Sequence, residues 1–509
     1  MSKANQQPNI IWFMCDQLHP RTLGYMGDPV ARTPNLDRLA ELGTVFDRMF
    51  VQNSVCMPSR AIMWTSRYLR NLNMANGCPV LDPHETTLAE ILQRAGYQTG
   101  LFGKLHLTPQ VYTVETLQSD RPVSDAAAFC EAAGLGPAPA DPVKRNYGFQ
   151  ETAHFEDHCK LWGEYYEWLQ ERAPEMLEAA RISYTGPNPD FGRDSGCHDV
   201  GITDLTADVH PSAFIADCAI EFFKRCCREE KPCLAHVSFV DPHHPWNPPR
   251  DIAPHYPVEQ MPLPAHRDPG ENVHWPPSLA ERMAPKQNYL CPTDPQKIQT
   301  VTAYNYALLE TLDRAVGRVI EAVEQAGQME NTIFLFVSDH GEMLGNYGLL
   351  RKGSWHYDCM IQTPCFLTAA GRIPAGGHIE ELTETIDLAP TLLGLAGLDI
   401  PDRMQGRNLA PALLNHADMP EKPWIYCEMF QTLWGPWTAC QTIRTRTAKL
   451  NYFPIDRVGH LFDLENDPDE RRNLWDFSEH RPLRDAMMAN LLEELNRQID
   501  GSPRVLSQY

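Results

Sequence analysis

The chain has 509 residues, of which 43% are hydrophobic and 22% are charged, and this balance is typical of globular proteins rather than disordered or fibrous ones. Acidic residues outnumber basic residues by 66 to 44, so the formal net charge is −22. Nucleic acids and anionic membranes are recognised by basic surfaces, and this charge therefore argues against both as general partners.

The cysteines and the apolar runs predict a cytoplasmic location. The 15 cysteines are scattered without a Cys-x-x-Cys pair, which favours buried thiols in a reducing compartment over a disulfide framework. The first residues are polar and contain no apolar signal core. The longest apolar runs are far too short to cross a bilayer, so we expect no membrane span.

Four short runs rich in β-branched and aromatic residues predict the strands of a buried, mainly parallel sheet. They lie at residues 9–14, 98–102, 234–240 and 332–337. Amphipathic helical patterns lie between them, at residues 87–95, 212–228 and 297–326. This alternation predicts an α/β fold in which helices cover both faces of a large sheet.

Two further regions complete the predicted organisation. Residues 242–295 hold 14 of the 43 prolines, which predicts a long irregular excursion of the kind that walls a substrate pocket. Short strand patterns then occur at residues 424–429, 440–445 and 449–452, before a closing helical pattern at residues 483–499. We therefore predict a catalytic domain at residues 1–398 and a smaller α+β domain, with a short antiparallel sheet, at residues 399–509.

Reactive side chains follow all four predicted strands. In chain order they are Asp16, Gln17, Lys104, His106, Asp241, His243, His244, Asp339 and His340. Ligands of open α/β sheets bind beyond the carboxyl ends of the strands. Because all four runs deliver polar groups to that edge, we expect these side chains to form one site.

Asp16, Gln17, Asp339 and His340 are candidate metal ligands. Two carboxylates with a neutral amide oxygen suit a hard cation such as Ca²⁺. The histidine leaves Mn²⁺, Fe²⁺ and Zn²⁺ open. The alternative is structural, with Asp16 capping a helix and His340 packed in the interior.

The segment Cys56-Met57-Pro58-Ser59-Arg60 predicts an anion site that contains a nucleophile. Pro58 suits the first turn of a helix, which puts Cys56 at a helix N-terminus, where backbone N–H groups favour negative charge. Arg60 lies one turn further along the same face. The alternative is a buried thiol beside a surface arginine.

The same segment, followed by Thr65-Ser66-Arg67, resembles the signature of the type I sulfatases of the alkaline phosphatase superfamily. Other elements similar to that family occur in the expected order, namely Asp16-Gln17, Thr33-Pro34-Asn35-Leu36-Asp37-Arg38-Leu39, Gly103-Lys104-Leu105-His106, His243-His244-Pro245 and Ser338-Asp339-His340-Gly341-Glu342. Residues 461–474 are similar to the family's C-terminal domain. The resemblance covers nearly the whole chain and implies an alkaline phosphatase-like fold and the hydrolysis of sulfate monoesters.

The resemblance implies a modified residue at position 56. In that family a formylglycine-generating enzyme converts the motif cysteine to Cα-formylglycine, so Cys56 is the expected site of this change. The hydrated aldehyde would attack sulfur, release the alcohol and leave a covalent sulfo-enzyme intermediate that then expels sulfate. The alternative is a phosphonate monoester or phosphodiester hydrolase that uses the same formylglycine and metal ion.

The resemblance also assigns roles to individual side chains. One divalent metal ion, Ca²⁺ with Mn²⁺ as the alternative, would be held by Asp16, Gln17, Cys56, Asp339 and His340. The metal ion and Arg60 would stabilise charge on the transferred group. Lys104 and Lys352 would bind its non-bridging and bridging oxygens, with Arg351 competing for the role of Lys352. His243 would protonate the leaving alcohol, with His244 as the alternative, and His106 would hold or deprotonate the hydrate.

Two positions depart from the common sulfatase pattern. Gln17 and His340 stand where many sulfatases have aspartate and asparagine, and here the chain is more similar to phosphonate monoester hydrolases and choline sulfatases.

The predicted site carries a local positive charge inside an acidic chain, which favours a small alkyl or aryl sulfate over a long polysulfated chain. Four aromatic side chains either wall the organic group of this ester or fill the core, namely Trp246, Trp355, His356 and Tyr357. The sequence leaves open whether the chain forms a homo-oligomer.

Overall fold

The computed structural model describes residues 7–499 apart from 73, 75–80, 83, 108–145, 157–162, 185–199, 269, 272, 284–290, 292–293, 416 and 432–437. Its strands in chain order are β1 (Asn9–Cys15), β2 (Thr44–Phe46), β3 (Met49–Phe50), β4 (Gln98–Gly103), β5 (Glu151–His154), β6 (Cys233–Ser238), β7 (Thr332–Ser338), β8 (Cys365–Ala369), β9 (Gly377–Ile379), β10 (Thr383–Glu384), β11 (Ile425–Gln431), β12 (Thr438–Arg444), β13 (Ala448–Phe453) and β14 (Val458–Asp463). Its helices are α1 (Pro34–Glu41), α2 (Cys56–Thr65), α3 (Leu88–Arg94), α4 (Gly163–Arg172), α5 (Leu177–Tyr184), α6 (Pro211–Arg228), α7 (Pro277–Met283), α8 (Pro295–Gln325), α9 (Asp358–Ile361), α10 (Leu388–Leu395), α11 (Ala410–Leu413) and α12 (Arg481–Arg497).

The main sheet has eight strands in the order β5-β4-β6-β1-β7-β8-β2-β9. Strand β8 runs antiparallel to both of its neighbours, and the other pairs in the sheet are parallel. This confirms the predicted mixed, mainly parallel sheet. The four predicted strands are its four central parallel strands, whereas β2, β5, β8 and β9 have only three to five residues and carry little pattern of their own.

Both faces of this sheet are covered, because consecutive residues of a strand point to opposite sides. All of β1 is buried. Ile10, Trp12 and Met14 belong to one hydrophobic core, whereas Ile11 and Phe13 belong to the core on the other face. The first core also contains residues of α2, α3 and α10, and the second contains residues of α1, α6 and α8.

The C-terminal part of the chain forms a second sheet, which is antiparallel and has the order β11-β12-β13-β14. Helix α12 packs on β12 and β13. Tyr426, Leu450 and Leu461 share a hydrophobic core with one face of the main sheet, so the smaller sheet is joined to it through a continuous apolar interior. The predicted C-terminal α+β part is therefore confirmed, and the boundary at residue 398 stays a prediction.

The proline-rich excursion is irregular from residue 242 to residue 276, apart from short 3₁₀ turns and isolated bridges. Its side chains Ile252, Tyr256 and Met261 pack against Ala303 and Tyr306 of α8. The first residues of the excursion enter the candidate site described below. Within the described ranges, no helix has both the length and the apolar character that crossing a bilayer requires.

Candidate active site

Helix α2 begins at Cys56, directly after the extended residue Val55. Val55 has no side-chain hydrogen bond to the helix, and the first turn contains no acidic residue, so the N-terminus keeps its partial positive charge. Cys56 is 2% exposed and Arg60 is fully buried. Arg60 is therefore not a surface arginine, and that alternative interpretation of the motif is wrong.

Four potential metal ligands converge at this helix end. The ligand atoms of Asp16, Cys56, Asp339 and His340 all lie within 4.8 Å of one another, and all four residues are buried. Cys56 Sγ lies 3.2 Å from His340 Nε2 and 3.4 Å from Asp16 Oδ1. Strands β1 and β7 are neighbours, so Asp16 and Asp339 leave adjacent strand ends. This common cluster argues against separate structural roles for Asp16 and His340.

His340 has the tautomer that a metal ligand needs. Its Nδ1 lies 2.8 Å from the carbonyl of Gly341, to which it donates, and this leaves the Nε2 lone pair facing Asp16 and Cys56. Burial lowers the pKa of His340, which favours the neutral ring. Metal binding requires that neutral form.

The contacts of Gln17 provide a second observation on whether the side chains of this cluster suit a metal ion. Its backbone N–H donates to Asp339 Oδ1 at 3.1 Å, which places it beside the cluster. Its side-chain amide donates to Glu342 Oε2, and the amide nitrogen lies 3.1 Å from His244 Nδ1. Gln17 Oε1 is then a buried acceptor without a hydrogen-bond partner among the described residues. Two carboxylates, a neutral imidazole and an unused amide oxygen fit a divalent cation.

Three basic side chains surround the acidic ligands. Arg60 Nε donates to Asp339 Oδ2 at 2.7 Å, and its Nη1 donates to the carbonyl of Lys104 at 2.8 Å and to Ser238 Oγ at 2.9 Å. Lys104 Nζ lies 2.6 Å from Asp16 Oδ2. Lys352 Nζ lies 2.7 Å from Cys56 Sγ, so Lys352, rather than Arg351, reaches the Cys56 thiol.

The charges on Asp16 and on the neighbouring basic side chains stabilise one another. Burial opposes the ionised form of Asp16, but the neighbouring cations, above all Lys104, outweigh that effect and hold its pKa well below the usual value. Burial likewise opposes the charge on Lys104, and Asp16 raises the pKa of this lysine above its usual value. The Asp16 carboxylate and the Lys104 ammonium group are therefore charged together at neutral pH.

Of the two adjacent histidines, His243 is the one that reaches the nucleophile side. Its Nε2 lies 2.8 Å from Lys352 Nζ, and its Nδ1 is hydrogen-bonded to the carbonyl of His244. The two rings stack with centroids 4.1 Å apart, and His244 Nδ1 faces Gln17 instead. Burial lowers the pKa of His243 well below its usual value, so the ring accepts a hydrogen bond from Lys352.

His106 is not brought against Cys56. Its Nδ1 is buried without a hydrogen-bond partner, and in the described part of the chain no hydrogen bond or ion pair joins it to the nucleophile. Its backbone N–H donates to Glu156 Oε1 at 3.3 Å, and the N–H of Leu105 donates to the same oxygen at 2.9 Å. Asp241 also turns away, because its carboxylate binds Ser212 Oγ and His210.

Three residues of the site lie outside the predicted set. Glu342 accepts hydrogen bonds from Gln17, from the N–H of Leu344 and from the N–H of Arg351, so it joins a metal-ligand candidate to the Lys352 loop. It lies in the Asp339 motif, which could have pointed to it. Ser238 ends β6, and Glu156 follows β5. Polar residues are common at the ends of strands, and nothing in the sequence marks these two as part of the site.

The four aromatic candidates fill the interior. Trp355 and Tyr357 are buried in the main core, and Trp246 packs in a smaller cluster with Leu308 and Leu350. The ring of Tyr357 stacks on Tyr347 with centroids 3.7 Å apart. His356 is hydrogen-bonded to Thr442 and approaches Ser54. Core packing is therefore the interpretation that the structure supports for these side chains.

Comparison with known proteins agrees with this geometry. The family model "Sulfatase" matches residues 8–398, and the model "N-sulphoglucosamine sulphohydrolase, C-terminal" matches residues 345–498. An arylsulfatase of Clostridium perfringens is 27% identical over 97% of this chain and 96% of its own length. The multifunctional alkaline phosphatase superfamily protein PehA of Trinickia caryophylli is 27% identical over 76% of this chain and 72% of its own length.

Solved structures show the same architecture. The phosphonate monoester hydrolase SpPMH from Silicibacter pomeroyi superposes with a TM-score of 0.78 at 25% identity, covering 97% of this chain and 96% of that chain. BT4656, solved in complex with its substrate D-glucosamine-2-N,6-O-disulfate, superposes with a TM-score of 0.70 at 21% identity, covering 99% of this chain and all of that chain. With the family model spanning the whole main sheet and the signature cysteine at the start of α2, this chain belongs to the sulfatase family.

Proposed function

We propose that this protein hydrolyses monoesters of sulfuric acid, with residue 56 as the nucleophile and a small alkyl or aryl sulfate as the substrate. The observation that carries the proposal is the convergence on Cys56 Sγ of Lys352 Nζ at 2.7 Å, His340 Nε2 at 3.2 Å and Asp16 Oδ1 at 3.4 Å. A nucleophile between cations and potential metal ligands suits attack on a tetrahedral oxyanion. Membership of the sulfatase family supports sulfur as the atom attacked.

The proposed resident cofactor is one divalent metal ion, held by Asp16, Gln17, residue 56, Asp339 and His340. The oxygen-rich donor set supports Ca²⁺, and the imidazole keeps Mn²⁺ as the alternative. When bound, the ion supplies positive charge that stabilises the transferred group and lowers the pKa of a neighbouring hydroxyl. Arg60 holds Asp339 through Nε and lies 3.5 Å from Asp16 through Nη2, so it keeps both carboxylates in place for the ion.

We propose that Cys56 is converted to Cα-formylglycine by a formylglycine-generating enzyme. The motif from Cys56 to Arg60, its place at the start of α2 and the family membership support this modification. The hydrated aldehyde supplies an oxygen nucleophile in place of sulfur. At this position the backbone N–H groups of the first turn of α2 favour the anionic form of the nucleophile.

The remaining side chains have separable proposed roles. Lys104 and Lys352 bind the sulfate oxygens, because their ammonium groups face the cluster, 2.6 Å and 3.9 Å from Asp16. His243 protonates the leaving oxygen; its Nε2 accepts a hydrogen bond from Lys352 at 2.8 Å, so the proton that it delivers comes through this contact. His106 has no such contact. The proposal that it holds or deprotonates the hydrate rests on its position two residues after Lys104, in the same turn.

Substrate size follows from charge. The local excess of cations attracts a small anion, whereas the −22 chain as a whole repels an extended polyanion. The alternative function is hydrolysis of phosphonate monoesters or phosphodiesters. It is supported by the SpPMH superposition and by Gln17 and His340 at positions where many sulfatases differ.

Comparative kinetics test these two functions. We expect kcat/KM for 4-nitrophenyl sulfate to exceed that for 4-nitrophenyl phenylphosphonate, and the reverse ratio would favour the alternative. We expect the tryptic peptide of residues 49–60 to be about 18 Da lighter than its cysteine form. Full activity with an unmodified peptide would refute the formylglycine proposal, and Cys56→Ala is the inactive control.

The proposed location is cytoplasmic. Ten of the cysteines that the structure describes are free thiols, which supports a reducing compartment. Fractionation of the native host, with detection of the full-length chain, tests this location.

A further inference from the structure

The segment before Cys56 is hydrogen-bonded to the C-terminal sheet. Asn53 Nδ2 donates to the carbonyl of Glu428 in β11 at 2.6 Å, and the N–H of Glu428 donates to the carbonyl of Gln52 at 2.9 Å. Ser54 is fully buried at the end of this contact. The smaller sheet therefore supports the chain immediately ahead of the nucleophile.

Ser54 joins that segment to the loop of Lys352. Its hydroxyl donates to the carbonyl of Gly353 at 2.8 Å. Cys56 is two residues after Ser54, and Lys352 is directly before Gly353. One buried hydrogen bond therefore links the two backbones that carry the 2.7 Å contact between Lys352 Nζ and Cys56 Sγ.

His356 determines where the Ser54 hydroxyl points. Ser54 has one hydroxyl proton and uses it on Gly353, so His356 Nε2, 3.2 Å from Ser54 Oγ, must be a donor to that oxygen. Burial lowers the pKa of His356 to about 3, so the ring is neutral and carries a single N–H. With the proton on Nε2, Nδ1 has to accept a hydrogen bond.

Thr442 supplies that hydrogen bond from the middle strand of the smaller sheet. Its Oγ1 lies 2.8 Å from His356 Nδ1 and 2.8 Å from Asn451 Oδ1 on β13. A hydroxyl has one proton, so Thr442 donates to His356 when the Asn451 amide is turned to present its nitrogen, rather than its oxygen, to Thr442. Thr442 is fully buried and His356 is 1% exposed, so water does not compete for these groups. Replacing the Thr442 hydroxyl would leave a buried acceptor on His356 without a donor.

We propose that Thr442, His356 and Ser54 are positioning residues through which the C-terminal sheet holds Lys352 at its working distance from residue 56. None of the three side chains belongs to the cluster of potential metal ligands, and their effect reaches it through the backbones at Gly353 and Cys56. This inference rests on the proposed function in one respect, namely that residue 56 and Lys352 act in turnover.

Thr442→Val removes the hydroxyl while nearly keeping the side-chain volume. We expect kcat for 4-nitrophenyl sulfate to fall about fivefold to tenfold, the scale of one buried hydrogen bond, and KM to change less than kcat. Thr442→Ser, which restores the donor, should recover activity to within about twofold of wild type. Thr311→Val is the matched control, because its buried hydroxyl donates within α8 to the carbonyl of Ala307 at 2.8 Å.

A second measurement needs no substrate. Hydrogen–deuterium exchange of the peptides 49–60 and 345–358 should be faster in Thr442→Val than in wild type and unchanged in Thr311→Val. If the wild type does not hydrolyse the ester, the proposed function fails, whereas faster exchange still supports the positioning chain. If Thr442→Val does not fold, Ser54→Ala carries the same expectations. A folded variant with wild-type exchange, or with wild-type turnover in an active enzyme, overturns the inference.

Discussion

Lys352 Nζ and Cys56 Sγ lie 2.7 Å apart although 296 positions separate the two residues along the chain. Cys56 starts α2, and Lys352 lies in the loop that follows β7. The same ammonium group also contacts His243 Nε2 at 2.8 Å. One lysine therefore connects the proposed nucleophile to the proposed proton donor.

Lys352→Ala should lower kcat/KM for an aryl sulfate by about 10²-fold to 10³-fold, because a preorganised cation facing the reacting group is lost. Steady-state kinetics check this prediction. Lys224→Ala, on the exposed side of α6, is the control and should match wild type. A loss of less than about threefold in Lys352→Ala would contradict the proposed role.

Asp339→Asn should remove most of the bound divalent metal and abolish turnover together. The carboxylate is one of the clustered ligands and also the partner of Arg60 Nε at 2.7 Å, so its loss weakens the ion site and leaves Arg60 less compensated. Elemental analysis of metal per chain, with activity measured on the same sample, checks both effects. Asp485→Asn, with a side chain 63% exposed, is the control. A full equivalent of metal in Asp339→Asn would show that the ion binds elsewhere.

Glu156→Gln should reduce kcat about tenfold with a smaller change in thermal stability. Glu156 Oε1 accepts from the N–H groups of both Leu105 and His106, so its charge holds the turn that carries Lys104. Steady-state kinetics and a thermal melt of the same variant show whether kcat falls more than thermal stability does. The exposed Glu175→Gln is the control. Unchanged kcat in a folded Glu156→Gln would mean that the turn needs no charged acceptor.

The same glutamate predicts a pH dependence of stability. Burial opposes its charge, but the hydrogen bond with His154 and the charge on His106 outweigh burial and lower the pKa of Glu156 to about 2, from 4.5. The folded state therefore binds fewer protons than the unfolded state between these values, and the stabilisation is present above about pH 4.5 and is lost as the pH falls towards 2. The difference in unfolding free energy between wild type and Glu156→Gln, measured in urea, should shrink from pH 7 to pH 3.5. A constant difference would exclude this carboxylate as its source.

The length of the substrate should affect kcat/KM as strongly as the chemistry of the ester group does. We expect a small aryl sulfate to be turned over at least about tenfold faster, by kcat/KM, than a long polysulfated chain at low ionic strength, because the −22 protein repels the polyanion. Added salt should narrow this gap by screening. Equal rates for the two substrates at low salt would argue for an extended basic surface around the site.

Much of the site was predictable from local pattern. Strands β1 and β7 are buried on both faces and read as continuous apolar runs, so the positions of Asp16 and Asp339 at their carboxyl ends follow from the sequence. Cys56 and Arg60 follow from a proline-containing helix start. The sequence favours His243 and Lys352 but keeps His244 and Arg351 as alternatives, because adjacent residues in a loop differ only in the direction of their side chains.

The sequence by itself determined the class of sheet, the strand ends that carry acid and imidazole groups, and the helix start at Cys56, because these depend on neighbours within one or two turns of chain. Only the tertiary structure decided that Glu156 holds the Lys104 turn, that His106 stays clear of Cys56, and that Thr442 reaches Ser54 through His356. Those contacts join segments dozens to hundreds of residues apart, and a hydrogen bond between them depends on backbone direction and rotamer at both ends, which no local pattern of residue types contains.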